Sequence, residues 1–400
     1  MTTVAQISFD DKDLYERWSQ VKEDFWGDLK KETLLAVQRL LESTMIVQTQ
    51  DLIGTRRWGR TPQRKAQRNG FYFRTLLTSF GWINRLRVPR IRSGRLHFGA
   101  LSRYKRRCKD VDALVLRMFL AGVSTRRIKE VLKPILGDDA LSASVVSQIS
   151  KQLDAHVHRY HKRSLKDHYR YLFFDGIYLK AKSPIQSRRR CVLVAYGITS
   201  NGTRELIGFR LANHGESQAA WEFFLSDLYQ RGLKGDLLDL IVIDGNKGLS
   251  TAIDLFYPRA LKQRCWAHKL RNALQHAPRK LQNSCKDQAR DIYNASSYTE
   301  SLRAYKHWAA CWRGLAPKTV ECVERDLESL LNFYRCPKPL WIKLRTTNII
   351  ERCFREVRRR TRPMSCFQNV SSVERIIFAI FSRMNDLWSS KPLWKITQNS

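Results

Sequence analysis

The chain has 400 residues, with 72 Lys and Arg against 37 Asp and Glu and a formal charge of +35, so nucleic acid is its default partner and indifference to polyanions is excluded. A 43% hydrophobic content and 11 Trp set it apart from histone-like and ribosomal chains. With no run of about eighteen apolar residues and an acidic start, the expectation is an intracellular protein without a membrane span or secretory leader.

The first fifty residues carry a helical period, Leu14, Trp18, Val21, Phe25 and Leu29, then Leu34, Val37 and Leu41, which reads as a helical hairpin packing on its neighbours. Residues 54–107 change to Gly, Arg and aromatics, with Arg68-Asn69-Gly70-Phe71-Tyr72 and Leu86-Arg87-Val88-Pro89-Arg90, and suggest a short β-rich patch facing DNA. Helices return from Val111 to Leu120, stopped by Gly122, from Arg126 to Leu136, capped by Ser124 or Thr125, and from Ala143 to Leu153 after a Gly137-Asp138-Asp139 break. Such spacing fits a helix-turn-helix, and equally any three-helix bundle; Arg126, Arg127 and Lys129 form the basic face that favours DNA.

From Tyr169 the pattern turns to strands. Tyr169 to Lys182, Cys191 to Thr199 and Glu205 to Ala212 form a predicted meander joined by Ser183-Pro184 and Asn201-Gly202 turns. Glu216 to Arg231 reads as an amphipathic helix with Ala220, Phe223, Phe224 and Leu228 facing inward, Leu237 to Ile243 as a strand buried on both faces, and Gly248 to Phe256 as a helix. Three antiparallel strands, a helix, a buried strand and another helix is the order of a ribonuclease H-like core. In that fold the first and fourth strands are neighbours, so acids on them meet.

Asp175 and Asp244 stand at or near the ends of those two strands, and Glu351 lies on a later helix. Carboxylates are scarce here, and neighbouring strands roughly 4.8 Å apart can present two of them to shared hard cations. Each has a plainer reading: Asp175-Gly176 as a hairpin turn, Asp244-Gly245 as a helix cap, and Asn348 with Glu351 as a capping box.

Asp175-Gly176-Ile177-Tyr178-Leu179-Lys180, the run Asp244 to Ile253, the run Gln263 to Asn272, and Thr346-Thr347-Asn348-Ile349-Ile350-Glu351-Arg352 followed by Arg358 to Arg362 resemble, in order, the signatures of Mutator-type bacterial insertion-sequence transposases. Arg68-Asn69-Gly70, Val88-Pro89-Arg90 and Gly122 to Arg126 are similar to the same family, so the resemblance spans roughly residues 55–385. It implies a DDE transposase in which Asp175, Asp244 and Glu351 bind two magnesium or manganese ions. Water first frees a 3′-hydroxyl at the element end, and that hydroxyl then attacks target DNA. The resemblance further implies double-stranded DNA partners, both terminal inverted repeats and target, a homodimer or larger assembly on DNA, a cytoplasmic, nucleoid-associated location, and a helical insertion between the second Asp and the Glu. Periodicity places helices there at Leu270 to Leu274, Leu281 to Tyr293, Tyr298 to Trp312 and Thr319 to Tyr334.

The expected fold is a multidomain α/β chain: a ribonuclease H-like mixed-sheet core interrupted by an α-helical insertion, preceded by helical DNA-binding regions that include a helix-turn-helix. Its expected divisions are 1–107, 108–165, 166–260, 261–340 and 341–400. Cys265 and His268 form a C-x2-H pair that the resemblance assigns to organising DNA at the cleavage point, together with Trp266, Arg271 and Asn272. Trp266 has two readings, stacking on an unpaired base or core packing. No zinc site is expected, since His276 and Cys285 complete a ligand set only at irregular spacing. Arg358, Arg359 and Arg360 are expected on the DNA backbone, and Glu356 as an ion partner of nearby arginines rather than a catalyst, being about 140° around the helix from Glu351. Residues 1–50 and 363–369 match the family loosely. Two rival functions remain, a nuclease or resolvase that cleaves without strand transfer and a non-catalytic DNA-binding regulator.

Overall fold

The computed structural model describes residues 25–99, 101, 105–121, 123–138, 140–182, 187–212, 215–362, 367 and 369–393. Leu14, Trp18 and Val21 of the expected first helices, the Gly122 stop, Asp139, the Ser183-Pro184 turn and residues 363–366 and 368 lie outside them. Contacts divide the chain into two units, the first holding residues up to Phe119 and Ser124–Ser150, the second Leu120–Val123 and the residues from Lys151 on.

In the first unit, Phe25–Ile53 is one uninterrupted helix, α1, rather than the expected hairpin, because between Leu29 and Leu34 the run Lys30-Lys31-Glu32-Thr33 holds no Gly or Pro to turn the chain. It packs Leu34, Val37, Leu41 and Met45 on one face of an antiparallel ribbon, β1 (Arg68–Thr78) and β2 (Gly81–Ile91), where Leu76, Ile83, Leu86 and Val88 are buried. The other face is exposed, and Arg87 and Arg85 stack over the rings of Phe71 and Phe73 at 4.6 and 4.8 Å. Three helices follow, α2 (Lys109–Leu120), α3 (Thr125–Leu136) and α4 (Ala143–Ser150). Ser124 caps α3 by accepting the Arg127 N–H, as its place in the sequence suggests, and Gly137 ends it at φ 99°. Arg126, Arg127 and Lys129 are exposed on α3, whereas α4 carries no charged side chain.

The second unit is built on a mixed five-stranded sheet. Its strands are β3 (Tyr169–Lys182), β4 (Ser187–Thr199), β5 (Arg204–Ala212), β6 (Leu240–Ile243) and β7 (Leu261–Arg264), in spatial order β5-β4-β3-β6-β7. The meander is antiparallel, while β6 and β7 add in parallel. Helices α6 (Gln218–Gln230) and α7 (Lys247–Phe256) cover one face, seating Trp221, Phe224, Leu228 and Ile253 on Leu172, Phe174, Leu193 and Ile241. On the opposite face lie α14 (Asn348–Thr361) and α15 (Val370–Ser389), the latter bringing Phe381 and Trp388 edge-on to Phe209 and Tyr196. A short helix, α5 (Asp154–Lys162), leads into the sheet.

Several local expectations change. Phe223 is 57% exposed beneath the Arg210 guanidinium, and Trp221 and Leu225 take the inward places on α6. The helix starts at Gln218 behind a Ser217 cap, leaving Glu216 outside it. Leu237 is 52% exposed, so the buried strand is only Leu240–Ile243. Between β7 and α14 lie α8 (Trp266–Leu274), α9 (Gln282–Asn294), α10 (Tyr298–Arg313), α11 (Pro317–Glu324), α12 (Leu327–Leu331) and α13 (Trp341–Leu344). The single helix expected over Thr319 to Tyr334 breaks at Asp326, whose carboxylate is drawn to Arg264, at 2.7 Å, and to Lys269. Among the described residues no helix is long and apolar enough to cross a membrane.

Candidate active site

Parallel pairing of β3 with β6 sets Phe173 beside Val242. Two residues further in that register, Asp175 comes beside Asp244, just past the end of β6. Asp175-Gly176 is therefore no hairpin turn; it sits inside a continuous strand that pairs with β4 from Tyr169 to Lys182. Nor does Asp244 cap α7. That cap is Asn246, whose side chain accepts the Leu249 N–H at 3.1 Å while its own backbone N–H donates to Asp244 Oδ1 at 2.9 Å. Gly245, at φ 101°, turns the chain where a Cβ would strike the Arg264 guanidinium.

Glu351 reaches the same region from the first turn of α14. The capping box does not form, because the N-cap is Thr347, which makes no side-chain cap. Instead Thr347 donates through both N–H and Oγ1 to Cys265 Sγ at 3.3 Å, its Oγ1 lies 3.4 Å from His268 Nδ1, and Trp266 N–H donates to Arg345 O at 3.0 Å. The C-x2-H pair thus clips the start of α8 to the start of α14. His268 Nε2 completes the clip 3.4 Å from Glu351 Oε1.

Charge couples these groups. Burial, then the neighbouring Asp244 charge, pushes Asp175 up to about 7. The hydrogen bond with Cys265, opposed by burial, followed by the charges of Cys265, Asp175 and Glu351, pushes His268 up to about 9. At Cys265 burial acts the other way, but hydrogen bonds from His268 and Thr347 prevail and hold the thiol below its ordinary value. In a chain with 72 Lys and Arg, none of the ion pairs among the described residues joins Asp175 or Asp244 to either. The acids are neighbours rather than a closed cage, since among the described residues no three His, Cys, Asp or Glu side chains form a ready ligand group for one ion.

The remaining expected site residues divide. Glu351, Arg355, Arg358, Arg359 and Arg362 line one cavity of about 550 Å³ along a single stripe of α14. Arg360 is off that stripe, only 10% exposed and bound with Arg359 to Glu356, which is the ion partner its spacing suggested. Arg271 is exposed at a second cavity of about 590 Å³ that Arg290 and Arg345 also line, and Asn272 is exposed beside it. Trp266 is 1% exposed, packs on Tyr293 and donates its indole N–H to Leu330 O at 2.7 Å. Its ring is a core element, and the base-stacking reading is set aside; Cys265, fully buried, likewise has no surface to offer DNA. Arg126 and Arg127 belong to the other unit.

Two contributors escaped the sequence. Arg355 carries no motif, although its spacing of four from Glu351 was a usable signal. Glu216 reads as an ordinary acid ahead of a helix; in the fold its carboxylate lies over Gly176, next to Asp175, and the Asn246 side chain donates to its carbonyl at 3.3 Å and its carboxylate at 3.5 Å.

The family model for the Mutator family of transposases matches residues 11–391. The transposase for insertion sequence element ISRM5 of Rhizobium meliloti is 35% identical over 360 residues, covering 90% of this chain and 88% of that protein. Transposases for insertion sequence element IS406 of Burkholderia multivorans and for IS256 in transposon Tn4001 of Staphylococcus aureus are similar at 34% and 32%, covering 88% and 90% of this chain and 90% and 91% of theirs.

Proposed function

The chain belongs to the Mutator family of transposases, and from that footing we propose that it cuts and joins DNA at a two-cation site formed by Asp175, Asp244 and Glu351. The observation that carries this reading is the β3–β6 register, which brings two carboxylates without a Lys or Arg partner side by side, within reach of a helix bearing the third. Magnesium or manganese suits the donor set, because it is all carboxylate oxygen and because Asp175, pushed up by burial and then by Asp244, holds its charge at neutral pH best beside a cation. When bound, the ions supply charge to the attacking and leaving oxygens of in-line phosphoryl transfer. Asp175, inside β3, and Asp244, just past the end of β6, hold that site, and the Cys265-His268-Thr347 clip fixes Glu351 against it.

Sheet order β5-β4-β3-β6-β7, with helices on both faces and acids on adjacent first and fourth strands, supports a ribonuclease H-like core. Helices α8 to α13 then form its insertion. The stripe Arg355, Arg358, Arg359 and Arg362 runs on from Glu351 and suits the DNA backbone. In the first unit, the segment from Leu52 to Lys109 holds 17 Lys and Arg and no Asp or Glu; with α2 to α4 as a helix-turn-helix, that unit is the reader of terminal inverted repeats. Two element ends must be held together, so the active form is a homodimer or larger, working on cytoplasmic DNA.

Purified protein given precleaved repeat ends and a target plasmid is expected to join 3′-hydroxyl ends in Mg2+ or Mn2+ and not in Ca2+; cleavage with no joined product would favour a nuclease. Replacing Arg126 and Arg127 together with Ala should weaken repeat binding and flatten its salt dependence by about one to two in the log–log slope, as fewer counterions are released. A slope equal to wild type would remove both from the interface. His268→Phe is expected to lower cleavage roughly tenfold to a hundredfold with repeat affinity kept, a supporting-residue effect read by comparing cleavage rate with gel-shift affinity.

A further inference from the structure

We propose that Glu216 is a fourth carboxylate of the cation site, helping Asp175 and Asp244 to hold a divalent ion; the inference rests on the active-site reading above. An acid just before a helix ordinarily stays in solvent and interacts with the first turn. Glu216 does otherwise. Ser217 caps α6 by accepting the Ala220 N–H, and the Glu216 side chain instead crosses to β3. There its carboxylate occupies the volume that a Cβ on residue 176 would fill, so the glycine after Asp175 leaves the room it takes.

Asn246 ties Glu216 to the other half of the site. Its side chain donates to Glu216, and its backbone N–H donates to Asp244 Oδ1, so one residue fixes the spacing of the two acids. The Cys191 thiol donates to Oε1 at 3.7 Å, and Oε2 takes a long bond from Asn246 at 3.5 Å, leaving acceptor capacity on Oε2 toward the site. No ion pair among the described residues joins Glu216 to Lys or Arg. A part-buried carboxylate beside two others, passed over by so large a surplus of base, is a group whose natural counter-charge is a cation.

Mn2+ binding to the full-length protein, followed by electron paramagnetic resonance, tests this. Glu216→Gln, which keeps the size and the acceptor for Asn246, is expected to weaken Mn2+ binding by about tenfold or more, with Glu216→Asp between it and wild type and Glu222→Gln unchanged. If Glu216→Gln binds Mn2+ like wild type while Asp175→Asn and Asp244→Asn do not, Glu216 is no ligand. If all three bind like wild type, the active-site reading itself fails. Should Glu216→Gln not fold, the rise in melting temperature on adding Mn2+ decides with Glu216→Asp: a smaller rise than wild type supports the inference, and an equal rise overturns it.

Discussion

Asp175→Asn, Asp244→Asn and Glu351→Gln are each expected to lower cleavage of element ends by about a thousandfold or more, with repeat affinity kept within about twofold. These changes preserve shape and remove one charge from a site whose work is positioning and charge compensation, so the loss falls on the chemical step. The three losses should not add, because removing one acid disables the shared site. Cleavage kinetics beside gel-shift affinity separate the outcomes: full cleavage by any one variant takes that residue out of the site, and lost DNA binding marks a folding defect instead.

Trp221→Ala is expected to cost the second unit about 3–5 kcal/mol, the usual range for emptying a buried aromatic site, lowering its melting temperature by about 10 °C. Trp221 is fully buried at the centre of the α6–sheet interface, with Phe174 and Phe224 each 6.2 Å away by ring centroid. Its neighbour Phe223 is a built-in contrast. It is exposed and touches Arg210 by a ring–guanidinium stack, so Phe223→Ala should cost less than about 1 kcal/mol. Equal melting temperatures for the two variants would contradict the assignment of α6's inward face.

The sequence was most legible where a periodic pattern and a chemical singularity coincided. Alternation and turn residues marked the meander, and the motif acids stood out because so few acids surround them. It was silent where stability comes from polar contacts. Strand β7 reads Leu-Lys-Gln-Arg and gives no apolar signal, yet Gln263 is fully buried, its amide donating to Leu330 O and accepting from Phe333 N–H. The break at Asp326 was hidden for the same reason, since only the fold brings Arg264 and Lys269 to it. Phe223 misled because a helical period admits two neighbouring faces. Glu216 gave no sign because what distinguishes it is its place over Gly176, a property of two segments at once.

The C-x2-H pair shows motif and role parting. The resemblance, not the spacing, placed it near the active site, and the structure brings it to Glu351 through hydrogen bonds to Thr347 and His268's approach to the carboxylate. Exposed positive charge lies instead on Arg355, Arg358 and Arg359 of α14 and on Arg271.

Anomalous scattering from crystals of the protein bound to a repeat end in Mn2+ addresses the central claim most directly. The account predicts manganese peaks at about 2.0–2.3 Å from oxygens of Asp175 and Asp244, with Glu351 ligating one of them. Manganese bound elsewhere on the complex, with none between Asp175 and Asp244, would contradict it.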